Sequence, residues 1–163
     1  MLYPDIMRIG IGFDIHRFEK GRKLLLGGVE IPYGFGLAGH SDGDVVLHAL
    51  SDAIAGCLGI EDIGQVFPDT DEKIKGISSI RIVQHYQKII EEKSAKIQNI
   101  DIVIIAEKPK ISPYYSAMKT RIAEILGIEY EKIGIKAKTA EQIGEIGKEH
   151  AIACFVSILI DGI

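Results

Sequence analysis

Cysteine is scarce in this chain of 163 residues: Cys57 and Cys154 are the only two. Both lie in apolar stretches and read as buried free thiols, and no Cys-x-x-Cys pair is present. Basic charge is also short, with 19 Lys and Arg against 23 Asp and Glu and a formal net charge of −4. That balance argues against sequence-independent nucleic-acid binding, so any anionic ligand must be met by local positive groups or a metal. The longest apolar run, Ala151–Ile160, is about half of the ~20 residues a bilayer span needs, and Ser157 interrupts it. Met1–Gly10 has no charged segment followed by an apolar one, so no secretory signal is expected and the protein reads as cytoplasmic. No Gly-x-Ser-x-Gly elbow or Walker loop occurs, which leaves those chemistries without support. What remains is an ordinary globular balance, 47% hydrophobic and 26% charged. It is enough for one domain over 1–163 with its own core and no need of a disulfide or metal staple to fold.

No repeat, low-complexity tract or linker divides the sequence. Met7–His16 places Ile9, Ile11, Phe13 and Ile15 at alternate positions and predicts a strand. Lys23–Leu26 and Val29–Pro32 flank Gly27-Gly28, a hairpin signal. A glycine-rich loop, Gly34–Gly39, leads to Ser41-Asp42-Gly43-Asp44, which has capping-box spacing. The helix it opens carries Val45, Leu47, Ala49, Leu50, Ala53, Ile54, Cys57 and Leu58 and stops at Gly59. Gly59–Lys75 is turn-rich and reads as a loop. A second helix is expected from about Ser79, with Ile80, Val83, Ile89 and Ile90 on its inner face. Ile97–Glu107 predicts a strand, and Ser112-Pro113 reads as an N-cap with proline opening a helix that ends at Gly127. Ile133–Lys138 and Ala151–Ile160 are the last strands. This order predicts an α+β sandwich: a mixed, four-stranded type of sheet with helices on one face, plus an N-terminal hairpin.

Several residues have the chemistry of a site. Asp14 and His16 alternate on one strand and so share a face, and carboxylate with imidazole suits zinc. Alone, the pair reads first as a turn-capping aspartate and a surface histidine. Asp44 and His48 lie one helical turn apart. A histidine in an apolar helix is usually a satisfied core residue, but a second His/Asp pair on a neighbouring strand makes a three-ligand metal site the better reading. Gly34–Gly39 matches G-x-G-x-x-G, yet no second parallel strand follows its helix, so a nicotinamide-dinucleotide site lacks the βαβ unit it needs. Asp62-Ile63-Gly64 and Phe67–Asp71 suit a polyhydroxylated ligand or a solvated turn. Ala106–Ser112, with Lys108 and Lys110, suits an anion or a nucleotide edge at a helix start. Ala137–Glu141 combines a cation, a hydroxyl and a carboxylate, a set that could hold a diphosphate and its magnesium ion, although each of these two segments taken alone is more often just a loop.

Together, Gly10-Ile11-Gly12-Phe13-Asp14-Ile15-His16, Gly39-His40-Ser41-Asp42-Gly43-Asp44 with His48-Ala49, Asp62-Ile63-Gly64, Phe67–Asp71 and Ile135–Glu141 resemble the 2-C-methyl-D-erythritol 2,4-cyclodiphosphate synthase family. The resemblance runs from Met7 to Ile160. It implies conversion of 4-diphosphocytidyl-2-C-methyl-D-erythritol 2-phosphate to the cyclic 2,4-diphosphate and CMP, by a metal-dependent phosphorus–oxygen lyase of non-mevalonate isoprenoid biosynthesis. It further implies Asp14, His16 and His48 as zinc ligands, Glu141 as ligand of magnesium or manganese, and His40 and Thr139 as transition-state stabilisers. Ser41, Asp62, Ile63, Gly64, Phe67, Pro68, Asp69, Thr70 and Asp71 are then substrate contacts. Ala106, Lys108, Lys110, Ile111 and Ser112 form the cytidine pocket, with Lys138, Ala140 and Lys148 also touching substrate. The family is a homotrimer with sites shared between subunits, and neither nucleic acid nor membrane is a partner. Glu145, Lys148 and His150 depart from the aromatic, arginine and glutamate of well-known members, so a channel ligand such as an isoprenoid diphosphate is expected to bind weakly. The alternative from another class is a trimeric metal- or nucleotide-binding regulatory module without turnover.

Overall fold

The computed structural model describes residues 6–162; Met1–Asp5, part of the segment read for a secretory signal, lie outside the described residues. A long first strand, β1 (Arg8–Lys20), is followed by the hairpin β2 (Leu24–Leu26) and β3 (Val29–Ile31), which pair with each other only. Then come β4 (Phe35–Leu37), α1 (Val45–Leu58), α2 (Ile63–Val66), α3 (Ser79–Glu92), β5 (Lys96–Ile105), α4 (Tyr115–Leu126), β6 (Ile133–Lys138), α5 (Gly144–Gly147) and β7 (Ala151–Asp161). The main sheet is five-stranded in the order β4-β1-β7-β5-β6, with β5 and β6 parallel and the other pairs antiparallel. The α+β sandwich is as expected; the strand count is not. The segment expected to be a glycine-rich loop supplies the fifth strand, pairing Leu37 with Phe18 and Phe35 with Lys20.

The alternation in β1 works the opposite way from a simple apolar-in rule. Ile9, Ile11, Phe13 and Ile15 are exposed, Ile11 at 72%, while Gly10, Gly12, Asp14 and His16 turn towards α1. A Cβ on Gly12 would lie 1.8 Å from the Ala49 carbonyl oxygen, and one on Gly10 1.9 Å from that of Ala53. Helix and strand backbones therefore touch, which only glycine permits. The core fills from α1, the buried alternates of β5 (Ile100, Ile102, Ile104) and of β7 (Val156, Ile158, Ile160), and the inner faces of α3 and α4. On α3 the fully enclosed apolar residues are Ile82, Val83, Tyr86 and Ile90, whereas Ile80 and Ile89 are only half-buried.

Two caps fall elsewhere than the spacing implied. Asp44, not Ser41, is the N-cap of α1, accepting from the Val46 and Leu47 amides at 3.1 Å each. Ser112 caps nothing: it lies inside a 3-10 turn, Ser112–Tyr114, that runs into α4. Gly59 and Gly127 end α1 and α4 in the left-handed conformation, as expected of C-terminal glycines. Both cysteines are buried free thiols. Among the described residues, no helix is long and apolar enough to cross a membrane.

Candidate active site

The close contact of β1 with α1 brings three potential ligands to one point. Asp14 Oδ2 lies 2.7 Å from His16 Nε2 and 3.0 Å from His48 Nδ1, and the two ring nitrogens are 3.2 Å apart. These three atoms all lie within 4.8 Å of one another. Burial pushes the Asp14 carboxyl up, but the neighbouring His16 and His48 outweigh it and hold Asp14 well below the usual carboxylate range. Burial pushes His16 down, yet its bonds to Asp14 and to the Ala38 carbonyl carry it above the ordinary imidazole value. The Ala38 carbonyl accepts from His16 Nδ1, so Nε2 is the nitrogen left to face the cluster. The donor set fits a divalent cation: two imidazoles and a carboxylate at one point, each ring fixed from behind. For His48 that support is the Ser41 and Ser79 hydroxyls, 2.8 and 3.0 Å from Nε2.

Two members of the cluster, His16 and His48, line a cleft of about 430 Å³ together with Gly39, His40, Ser41, Ile63, Gly64, Phe67, Asp69, Ile74, Ile77 and Ile82. Of the residues expected there, Asp62, Pro68, Thr70 and Asp71 are not among the lining. Asp62 caps α2 through the Gln65 amide at 3.0 Å, while Asp52 accepts from the Ile63 amide at 3.0 Å and anchors the segment that does line the cleft. Burial raises the Asp52 carboxyl. Arg22, not singled out in the sequence, clamps the His40 segment by donating to the Gly39 carbonyl at 2.8 Å and the Ser41 carbonyl at 2.6 Å. A single arginine before a hairpin gives no sequence signal of that contact; Asp42, inside the Ser-Asp-Gly-Asp motif, and Ser79 were likewise missed.

A second cleft, about 670 Å³, is lined by Tyr33, Ala106 to Ser112, Tyr115, Ala137, Lys138 and Thr139. It shares no lining residue with the first. From its lining, Glu107 accepts from the Ala140 amide at 3.1 Å and the Gln142 amide at 3.4 Å, and the Thr139 hydroxyl donates to Glu141. Glu141 and Gln142 are left-handed, with φ of 50° and 61°, although neither is glycine. Lys148 is paired with Glu145 at 2.9 Å, and His150 Nδ1 with the same carboxylate at 2.8 Å. Neither Glu141 nor Lys148 is part of the Asp14–His16–His48 cluster.

The model of the YgbB family matches residues 7–161. The chain belongs to this family. Its relatives include the 2-C-methyl-D-erythritol 2,4-cyclodiphosphate synthases of Caldicellulosiruptor bescii, 49% identical with 95% of this chain and 99% of the relative covered, and Alkaliphilus metalliredigens, 52% identical with 90% and 92% covered. A solved member of Plasmodium falciparum, described as a CDP complex, is 37% identical with a TM-score of 0.84 over 96% of each chain. The bifunctional IspDF of Campylobacter jejuni is 38% identical with a TM-score of 0.93; it covers 98% of this chain, which spans 43% of that protein.

Proposed function

We propose that the protein converts 4-diphosphocytidyl-2-C-methyl-D-erythritol 2-phosphate to 2-C-methyl-D-erythritol 2,4-cyclodiphosphate with release of CMP. The observation that carries this reading is the convergence of Asp14 Oδ2, His16 Nε2 and His48 Nδ1 in a cleft of a YgbB-family chain whose relatives bear that synthase name. Asp14, His16 and His48 would hold zinc, three ligands with one position open, and Glu141 would offer a single carboxylate to magnesium or manganese, which phosphates chiefly bind. When bound, the metals supply Lewis-acid polarisation of phosphoryl oxygens and neutralise crowded phosphate charge.

The chain's own residues position the rest. The nucleophile is a phosphate oxygen of the substrate, already anionic, so no strong base is needed and catalysis is largely alignment and charge stabilisation. Ile63, Gly64, Phe67 and Asp69 enclose the sugar phosphate side, with His40 held at the rim by the Arg22 clamp on its flanking carbonyls. The 106–112 segment with Lys138 and Thr139 receives the cytidine diphosphate end. The two clefts share no lining residue, which favours a site completed by a second chain. The exposed apolar face of β1, with Phe13 packed on Phe155 at 4.6 Å between ring centroids, supports a homotrimer that covers it and joins the two clefts across a subunit boundary. Incubation of the zinc- and magnesium-loaded protein with the cytidylated substrate should release CMP, followed chromatographically, and give the cyclic diphosphate by phosphorus NMR. No CMP from a metal-loaded protein overturns the reading and leaves a binding module without turnover.

A further inference from the structure

We propose that Asp42 and Ser79 are positioning residues for His48, placing its imidazole proton on Nε2 so that the Nδ1 lone pair faces Asp14 and His16. This rests on the metal-centre reading of those three residues.

Three donors converge on the Asp42 carboxylate. The Ser79 amide donates to Oδ2 at 3.0 Å, the Asp44 amide to Oδ1 at 3.4 Å, and the Ser79 hydroxyl also donates to Oδ1. A carboxylate has only acceptors to offer, so the single hydroxyl proton of Ser79 is committed to it. Towards His48, Ser79 Oγ has only a lone pair left, 3.0 Å from Nε2. A bare Nε2 there would set lone pair against lone pair, with Ser79 fully buried. A proton on Nε2 meets that lone pair, and the bare Nδ1 is left 3.2 Å from His16 Nε2.

Ser41 does not decide the matter. Its oxygen, 2.8 Å from Nε2, receives the Gly43 amide and keeps a hydroxyl proton free to turn either way. Without the Asp42–Ser79 pair, the Ser41 hydroxyl can donate to Nε2. The ring then carries its proton on Nδ1, which donates to Asp14 Oδ2 at 3.0 Å and stands where a cation must bind. Asp42 is itself pinned: its amide donates to the Ile77 carbonyl at 3.0 Å, and the Gly76 amide donates to the His40 carbonyl at 2.6 Å.

Two variants separate this role from simple packing. Ser79→Ala removes the hydroxyl with almost no change of volume. Asp42→Asn keeps the shape, but once its oxygen receives the Ser79 amide, its NH2 donates to Ser79 Oγ and frees that hydroxyl to donate to Nε2. Nitrogen-15 histidine spectra of the metal-free protein in mildly alkaline solution report the tautomer. Zn2+ affinity by chelator competition reports the consequence, and thermal unfolding confirms that each variant is folded. Wild type should show Nε2–H at His48. Ser79→Ala should show a mixture with Zn2+ bound about 10–100-fold more weakly, and Asp42→Asn should shift to Nδ1–H with at least that loss. Nδ1–H in the wild type overturns the proposal, as do folded variants that keep the wild-type tautomer or bind Zn2+ within about twofold of it. Wild type with Nε2–H that binds no Zn2+ supports the proton placement and overturns the metal-centre reading alone.

Discussion

Asp44 sits among four backbone N–H groups: Gly27 at 2.9 Å, Gly28 at 2.6 Å, and Val46 and Leu47 at 3.1 Å each. Its carboxylate thus caps α1 and pins the β2–β3 turn onto the helix start, although burial raises its pKa. The sequence spacing pointed to Ser41 as the cap and paired Asp44 with His48. Neither reading could include the hairpin, because its contact with Asp44 exists only after long-range folding. Asp44→Ala should lower stability by about 3 kcal/mol, since several buried amides lose their acceptor at once. For a chain of this size that is a drop of about 10 °C in Tm by calorimetry. Asp44→Asn should not restore it, as its NH2 would face an N–H. A milder pH effect belongs to Glu145, whose hydrogen bonds from His150 and then Lys148 bring its pKa from 4.5 to about 2. The folded state favours the ionised form, so this contribution is present above about pH 4.5 and fades as pH falls towards 2. The Tm gap between wild type and Glu145→Gln should accordingly narrow as the solution is acidified below pH 4.5; full exposure keeps the gap small.

At the level of elements, β1 against α1 decides whether there is a site at all. Strand, helix and the shared face of Asp14 and His16 were legible, because periods of two and 3.6 residues survive in any context. Which face of β1 turned inward was not. The isoleucines are the apolar residues of the pattern, yet the glycines are the ones that touch the helix, since backbone contact rather than side-chain burial governs that seam. The fifth strand was missed for a related reason: Gly34–Gly39 has glycine's permissive backbone, and pairing with the end of β1 decides its conformation. Gly12→Ala should therefore cost about 2–3 kcal/mol and also weaken metal binding. The added methyl must push Ala49 away, and His48 moves with the helix. Unfolding and Zn2+ competition on the same sample check both; full stability with normal affinity would show that the seam has slack.

For the whole molecule, the sequence motifs point to two groups of site residues, and members of each line one of two clefts with no lining residue in common. The proposed trimer would join them, and no periodicity along one chain encodes such an assembly. His16→Ala and Thr139→Ala should each be nearly inactive. Co-expressed and mixed at random in trimers, they should recover about a quarter of wild-type turnover, the fraction of boundaries where an intact metal half meets an intact nucleotide half. Verified mixed trimers without activity would place both halves in one subunit. The sheet carries a consequence of another kind, in time. β1 pairs with β7 from Arg8–Ile160 to Arg17–Ala151, so the strand bearing Asp14 and His16 finds its long partner only near the other end of the sequence. Ribosomes deliver β1 early and β7 late, and pairing at such sequence distance must wait for the later strand. A nascent chain stalled before Ala151 already contains all three ligands but has no finished sheet to hold two of them, and it should take up no metal. On the metal-centre reading, loading would follow the synthesis of β7, a late step of maturation rather than a guide to folding.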